Sequence, residues 1–229
     1  MINTVNNISI YTLIEKIFSI KNEYKNNVKY KIITILGIKI KIRHKKTSLE
    51  KCREQIVKTA KHCGKNLWIG GFSYVTPQTV LGDYVCFNGM QIHGDGDVKI
   101  GNCFHSGVEC LIITRNHNYD NGTEIPYDDT YIRKPVEIGD FVWLGSRVMI
   151  LPGTKIGEGA IIQGGAVVHG EIPPYAIAGG NPAKVFKYRD IEHFKKLKKE
   201  GKFKGGLQTS VDKYGSNSCG CMRDREWSL

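Results

Sequence analysis

The sequence predicts an all-β fold, a solenoid of short parallel strands, and three observations carry that prediction. From Val136 to Val168 a large aliphatic residue returns every six positions, at Ile138, Leu144, Ile150, Ile156, Ile162 and Val168. Two positions before each stands a small or β-branched residue: Val136, Val142, Val148, Thr154, Ala160 and Ala166. Gly139, Gly145 and Gly157 directly follow three of the large aliphatics, where tight turns favour a residue without a side chain. A period of six fits neither a helix, which repeats near 3.6 residues, nor the two-residue alternation of a hairpin. It fits stacked coils in which each strand sends its two marked positions into a narrow core.

Ahead of the repeat, residues 1–65 form a basic N-terminal extension and cap. Residues 8–20 space Ile10, Leu13, Ile14, Ile17 and Phe18 as a short amphipathic helix would. Residues 30–42 alternate Lys with Ile, which predicts a hairpin with Gly37 near its turn. Residues 49–62 carry Cys52, Ile56 and Val57 as an apolar stripe, and this helix would cap the first coil. The repeat domain, 66–180, then begins. Ile69, Val75, Leu81 and Phe87 keep the spacing of six, a slip of one residue falls near Gly94-Asp95-Gly96, and the repeat resumes through Ile100, Ser106 and Ile112. An insertion at 114–135 interrupts it. Eighteen residues per coil predict roughly five coils. Ile172-Pro173-Pro174 closes the repeat, 181–200 supplies a turn and a basic helix, and the Gly-, Ser-, Lys- and Asn-rich tail 201–229 is expected to be disordered.

The chain has 229 residues and a formal net charge of +11, and that charge sits in the flanks. Residues 16–46 hold ten Lys and Arg against Glu23, and residues 191–204 hold six Lys against Glu192 and Glu200. Such flanks suit an anionic membrane surface, a polyanionic glycan or nucleic acid, or are simply solvated lysines. No nucleic acid is expected among the partners. The seven cysteines are scattered without zinc spacing, so reduced thiols in a cytoplasmic protein are expected. The start of the chain lacks the pattern of a signal peptide, and the apolar stretch 32–42 is too short to span a bilayer. No metal-ligand cluster, P-loop or dinucleotide-binding glycine motif is present.

The insertion is where chemistry is expected, because long loops in compact proteins are usually functional. It reads Thr114-Arg115-Asn116-His117-Asn118-Tyr119-Asp120 and then Glu124-Ile125-Pro126-Tyr127. His117 lies a few residues beyond the last core position, so a rigid coil would hold it. A histidine titrates near neutrality and suits a general base for a hydroxyl. Asn116, Tyr119, Asp120, Glu124 and Tyr127 are the candidates for acceptor contacts.

These residues, with Val136–Gly145, Leu151-Pro152-Gly153 and Gly180-Asn181-Pro182-Ala183-Lys184, resemble the hexapeptide-repeat acyltransferases. The branch is that of O-acetyltransferases similar to the xenobiotic, maltose and galactoside enzymes, and the resemblance covers about residues 66–190. It implies a left-handed parallel β-helix with acetyl-CoA as co-substrate, no metal, and a homotrimer with its sites between subunits. It places the general base on His117 and the oxyanion donor on the backbone N–H of Ser146. It places acetyl-CoA contacts on Trp143, Gly145, Ser146, Gly164, His169, Gly170, Lys184 and Lys187. Where many relatives have Ala-Gly-Ser this chain has Gly164-Gly165-Ala166, and His169-Gly170 replaces a frequent Thr-Lys, removing a cation.

The expectation is a cytoplasmic acetyl-CoA-dependent O-acetyltransferase, at the inner face of the membrane, that modifies a sugar hydroxyl of a surface polysaccharide or its precursor. Two other acceptors fit the same machinery: a drug of the chloramphenicol or streptogramin type, and the amine of a nucleotide sugar. Outside enzymes, a metal-binding or scaffold β-helix remains an alternative, since His93, His105 and His117 are spaced by twelve.

Overall fold

The computed structural model describes residues 18–25, 28–43 and 45–203. The chain divides into two compact units, Met1–Thr47 and Ser48–Leu229. In the first, β1 (Phe18–Lys25), β2 (Val28–Ile35) and β3 (Ile38–Arg43) form an antiparallel sheet in sequence order. The Lys-Ile alternation makes the hairpin. Leu36 and Gly37 turn it with φ of 50° and 83°, the positive angles that a tight two-residue turn between twisted strands requires. The helix expected over 8–20 is not borne out at its end, where residues 18–20 open β1 and pair with β2. The remainder of that segment lies outside the described residues, as do residues 204–229 of the tail.

In the second unit, α1 (Ser48–Thr59) carries Glu50 in its first turn and Lys58 in its last, matching the helix dipole. Its buried Cys52 and Ile56 close the open end of the solenoid. The Cys52 thiol donates to the Ser73 carbonyl at 3.1 Å, and Arg53 Nε donates to the Leu67 carbonyl at 2.8 Å. These are first-coil groups with no preceding coil to bond to.

The solenoid itself is a three-sided stack of parallel strands. Face one is built from His62–Cys63, Thr79–Leu81, Val98–Ile100, Val136–Ile138, Lys155–Ile156 and Glu171–Ile172. Face two holds Trp68–Gly71, Cys86–Asn88, His105–Ser106, Trp143–Leu144, Ile161–Ile162 and Ala176–Gly180, and face three Met90–His93, Cys110–Ile113, Met149–Ile150 and Val167–Val168. The coils number about six, because 171–180 completes one more than the repeat predicts. Pairing in register stacks like on like: Ile100, Ile138, Ile156 and Ile172 on face one, and Ile92, Ile112, Ile150 and Val168 on face three. Both registers of the repeat are buried, the large aliphatics and the small residues two positions before them. Each such aliphatic contributes roughly 1.5–3 kcal/mol on burial, and this column is the main cohesive term of the fold.

The corners carry strain. Tyr84, Cys103, Phe141 and Tyr175 adopt φ of 58°, 54°, 57° and 63° at the edge between faces one and two. A left-handed backbone costs a residue with a β-carbon roughly 1–2 kcal/mol, which the stacked hydrogen bonds of each coil offset. The slip in the repeat is a bulge: Gly94, with φ of 96°, opens it on the edge between faces three and one.

The outward rows differ between faces. On face one Lys99, Glu137, Lys155 and Glu171 alternate in charge across neighbouring strands. On face two the outward row is His105, Trp143, Ile161 and Ile177, and on face three Leu111, Met149 and Val167. The strand Ala183–Tyr188 adds antiparallel to face two. α2 (Ile191–Lys199) follows, its N-terminus capped by Asp190, which accepts from the His193 N–H at 2.9 Å. Phe194 packs edge-on against Phe141 and Tyr175, and Lys198 pairs with Glu158, so this helix covers the last coils at one corner. No helix among the described residues is long and apolar enough to cross a membrane.

Candidate active site

The insertion leaves face three after Ile113 and rejoins face one at Val136. Its root is a hairpin of Arg115–His117 and Tyr131–Arg133, with His117 opposite Tyr131. Thr114, fully buried, ties the root to the bulge: its hydroxyl donates to the His93 carbonyl at 3.0 Å and accepts from the Gly96 N–H at 3.1 Å. Asp95, at the crest of the bulge, accepts from Arg133 Nε at 2.8 Å and lies 3.7 Å from the Arg115 guanidinium. The Arg133 hydrogen bond, helped by the charges of Arg133 and Arg115, holds the Asp95 carboxyl below its usual range. Arg115 in turn lies over the Tyr131 ring, 4.4 Å from its centroid.

His117 is gripped by two tyrosines. Its ring stacks on Tyr127 with centroids 3.6 Å apart and planes within 19°, and it leans on Tyr131 at 4.8 Å. Nδ1 is buried and has no hydrogen-bond partner.

The tip is organised by Asp128. Its carboxylate accepts from the Thr123 and Thr130 amides, each at 2.9 Å, and from both threonine hydroxyls. These bonds, led by the Thr130 hydroxyl, pull its pKa down to about 2. Asn118 adds a bond from its side-chain amide to the Thr130 hydroxyl at 3.0 Å. The insertion is therefore an ordered hairpin with a knotted tip.

Of the five residues expected at the acceptor, Tyr127 lies against His117. Asn116 falls on the opposite side of its strand, because side chains alternate there. Tyr119, Asp120 and Glu124 are exposed along the outer loop. Asp95, Asp128 and Tyr131 were not anticipated. For Asp128 a local signal existed, since short polar side chains near Thr123 and Thr130 favour side-chain-to-backbone turns.

The residues expected to hold acetyl-CoA fall into two groups. Gly145, Ser146 and Gly164 stack on the edge between faces two and three. A β-carbon on Gly107 would sit 2.5 Å from the Ser146 nitrogen, so only glycine leaves room beside that amide. Trp143, half exposed, follows His105 in the outward row of face two, which runs on through Ile161 and Ile177 to Lys187. Three strand spacings put Trp143 and Lys187 about 14 Å apart. Lys184 lies one step along, opposite Gly179. His169 and Gly170 instead sit on the edge from which the His117 hairpin springs, where the Gly170 carbonyl accepts from Lys155. The full width of face three separates that edge from Ser146.

Residues 135–170 match the model of the bacterial transferase hexapeptide (six repeats). Over 95 residues the chain is 41% identical to the Probable acetyltransferase Rv3034c of Mycobacterium tuberculosis, covering 42% of this chain and 32% of that protein. Over 91 residues it is 39% identical to a chloramphenicol acetyltransferase of Escherichia coli, covering 34% of this chain and 43% of that protein. The chain thus spans less than half the length of these relatives. In fold it is similar to a maltose O-acetyltransferase from Clostridium difficile 630, with a TM-score of 0.56 at 24% identity, over 64% of this chain and 79% of that one. Other solved structures with this fold hold coenzyme A or acetyl-CoA. The repeat over residues 135–170 is thus similar to the bacterial transferase hexapeptide, and in sequence the chain is similar to acetyltransferases over part of its length.

Proposed function

We propose that the protein is an acetyl-CoA-dependent O-acetyltransferase with His117 as its general base. The observation that carries this reading is a histidine clamped between two tyrosines, on a hairpin rooted in a rigid coil, with one ring nitrogen sealed. His117 Nε2 takes the proton of the acceptor hydroxyl as its oxygen attacks the thioester carbonyl. The oxyanion of the tetrahedral intermediate accepts from the Ser146 N–H. Collapse expels the coenzyme A thiolate, which receives the proton from His117, and the acetyl ester is released. Acetyl-CoA would run along face two from Trp143 toward Lys184 and Lys187, whose ammonium groups suit its phosphates as point charges.

His117 and Ser146 occupy different edges, so we infer that each site is completed by a neighbouring chain. The two outward rows rich in apolar residues, on faces two and three, support this. A contact between two different faces of neighbouring chains closes into a ring when its rotation divides the circle, and the 120° relation between the faces of a three-sided coil fits a homotrimer.

For the acceptor we favour a sugar hydroxyl in a surface polysaccharide or its lipid-linked precursor. The aromatic floor of Tyr127, the fold shared with a maltose O-acetyltransferase and the basic N-terminal unit support that choice. The similarity to a chloramphenicol acetyltransferase favours a drug as the second reading. A panel of sugars, lipid-linked glycans and chloramphenicol, read by release of free thiol from acetyl-CoA, separates them. His117→Ala is expected to lower transfer by about 10²–10⁴-fold, the usual contribution of a general base. A His117→Ala enzyme with full activity would refute the assignment. Stoichiometric zinc with no thiol release from any acceptor would refute the transferase reading.

A further inference from the structure

The N-terminal sheet supplies none of the residues proposed for that chemistry, and its two sides differ in composition. Cross-strand pairing places Phe18, Ile35 and Ile38 in one row and Ile20, Ile33 and Ile40 in the next, all on one side. Phe18, Ile20, Ile35, Ile38, Ile40 and Ile42 are all exposed, by 43–69%. A third row on that side, Asn22, Lys31 and Ile42, ends the apolar surface in a polar margin, and the other side carries Ser19, Thr34 and Lys39 in one row and Lys21, Ile32 and Lys41 in the next. Contiguous apolar surface of this kind on a soluble protein marks a contact site.

The charge of the segment selects the partner. Residues 18–43 hold seven Lys and Arg against Glu23, and Glu23 is itself paired with Lys41. Two copies of such a sheet would bring like charges within a Debye length of about 8–10 Å, which disfavours self-pairing. A soluble polyanion would satisfy the lysines and leave the isoleucines in water. A bilayer with anionic headgroups satisfies both. The aliphatic side would enter the boundary between headgroups and acyl chains, and the lysine stems would reach back to the phosphates. Among the described residues no further strand pairs with the outer backbone edges of β1 and β3, and these limit the depth, because the hydrocarbon core supplies no partner for open N–H and C=O groups.

We infer that the β1–β3 sheet is a peripheral docking surface for anionic phospholipid bilayers. This deepens the reading of a lipid-linked acceptor and rests on it only for its purpose, since the docking is measured without transfer. The full chain is sedimented with vesicles of phosphatidylcholine alone and of phosphatidylcholine with about one third phosphatidylglycerol. Binding to the anionic vesicles is expected to be at least about tenfold tighter, and to weaken by a similar factor at high salt. Ile38→Ser/Ile40→Ser and Lys39→Glu/Lys41→Glu should each lose most of that binding. Because the serine pair could unfold the sheet, Leu36→Trp at the exposed turn is a second probe, and its emission should shift to the blue on anionic vesicles. Equal binding to both vesicle types, no blue shift, or heparin binding that survives the serine pair and exceeds vesicle binding would each overturn the inference. Vesicle binding with no thiol release from any acceptor would leave the docking intact and remove the transferase reading instead.

Discussion

Replacing Gly145 by Ala tests whether the coils are stacked as tightly at their corners as the structure describes. A β-carbon there would lie 2.4 Å from the Gly164 nitrogen, 2.8 Å from its α-carbon and 3.1 Å from the Gln163 carbonyl carbon. All three are backbone atoms, so no side chain can swing away. The corner would have to open by about 1 Å, against the Gly145-to-Ile162 hydrogen bond of 2.7 Å and its neighbours along the same edge. Overpacking a well-filled site costs about 1–3 kcal/mol, and a backbone clash belongs at the upper end. In a chain of this size each kcal/mol lowers the melting temperature by roughly 2–4 °C, which predicts a fall of about 4–12 °C. Two comparators separate the contributions. Gly170→Ala meets nothing within 4 Å but sits at φ +72°, so it carries conformational strain alone, about 1–2 kcal/mol. Gly164→Ala meets its nearest atom, the Ser146 carbonyl oxygen, at 3.1 Å and has no positive φ, so a loss below about 1 kcal/mol is expected. Thermal melts followed by circular dichroism give the order. A Gly145→Ala protein that melts with Gly164→Ala would refute the close stacking of this edge.

Asp95→Asn should loosen the hairpin root while leaving the acetyl-CoA face intact. A fall in kcat on the order of tenfold is expected, since small displacements of a reacting group are costly, with KM for acetyl-CoA unchanged; an unchanged kcat would show that Asp95 does not position His117. Asp128 titrates at about 2 in the folded loop, below the ordinary aspartate value of about 3.9. Its stabilisation of the tip is therefore complete above about pH 4 and is lost as the pH falls toward 2. Amide exchange at Thr123 and Thr130 should accelerate over that range, and Asp128→Asn should show fast exchange at every pH; a tip equally protected at both ends of the range would count against the knot. Tyr127→Ala uncovers one face of the His117 imidazole, and diethyl pyrocarbonate should then modify His117 several-fold faster. An unaltered rate would mean that Tyr127 does not shield the ring.

The repeat was legible because a coil has to return its core positions in phase. Val136 and Ile138, two apart and both buried, show how both registers of the pattern reach the interior of the same strand. The last coil escaped the count because Pro173 and Pro174 break the visible period, although Ile172, Ala176 and Ala178 still point inward. The hairpin at Leu36-Gly37 followed from local alternation. Asp95 was not legible, because its partners lie 38 positions away at Arg133 and 20 away at Arg115, and a slipped repeat looks like a defect until its other half is seen. The division of the acetyl-CoA residues between two edges is a matter of phase. Gly145 and Gly164 lie about one coil apart and stack, whereas His169 lies a further fraction of a coil along and turns the corner.

The bulge at Gly94–Gly96 and the hairpin at 114–135 occupy one edge in consecutive coils, joined through Thr114, Asp95 and the two arginines. The inserted hairpin is thus half of a two-piece graft, and its other half is embedded in the regular scaffold. A chimera that receives 114–135 alone would inherit a hairpin without its socket. One that receives 94–96 as well would inherit the orientation of the histidine. Divergence of acceptor preference among related chains is then expected to appear as paired change at these two segments, with the coils between them conserved in phase.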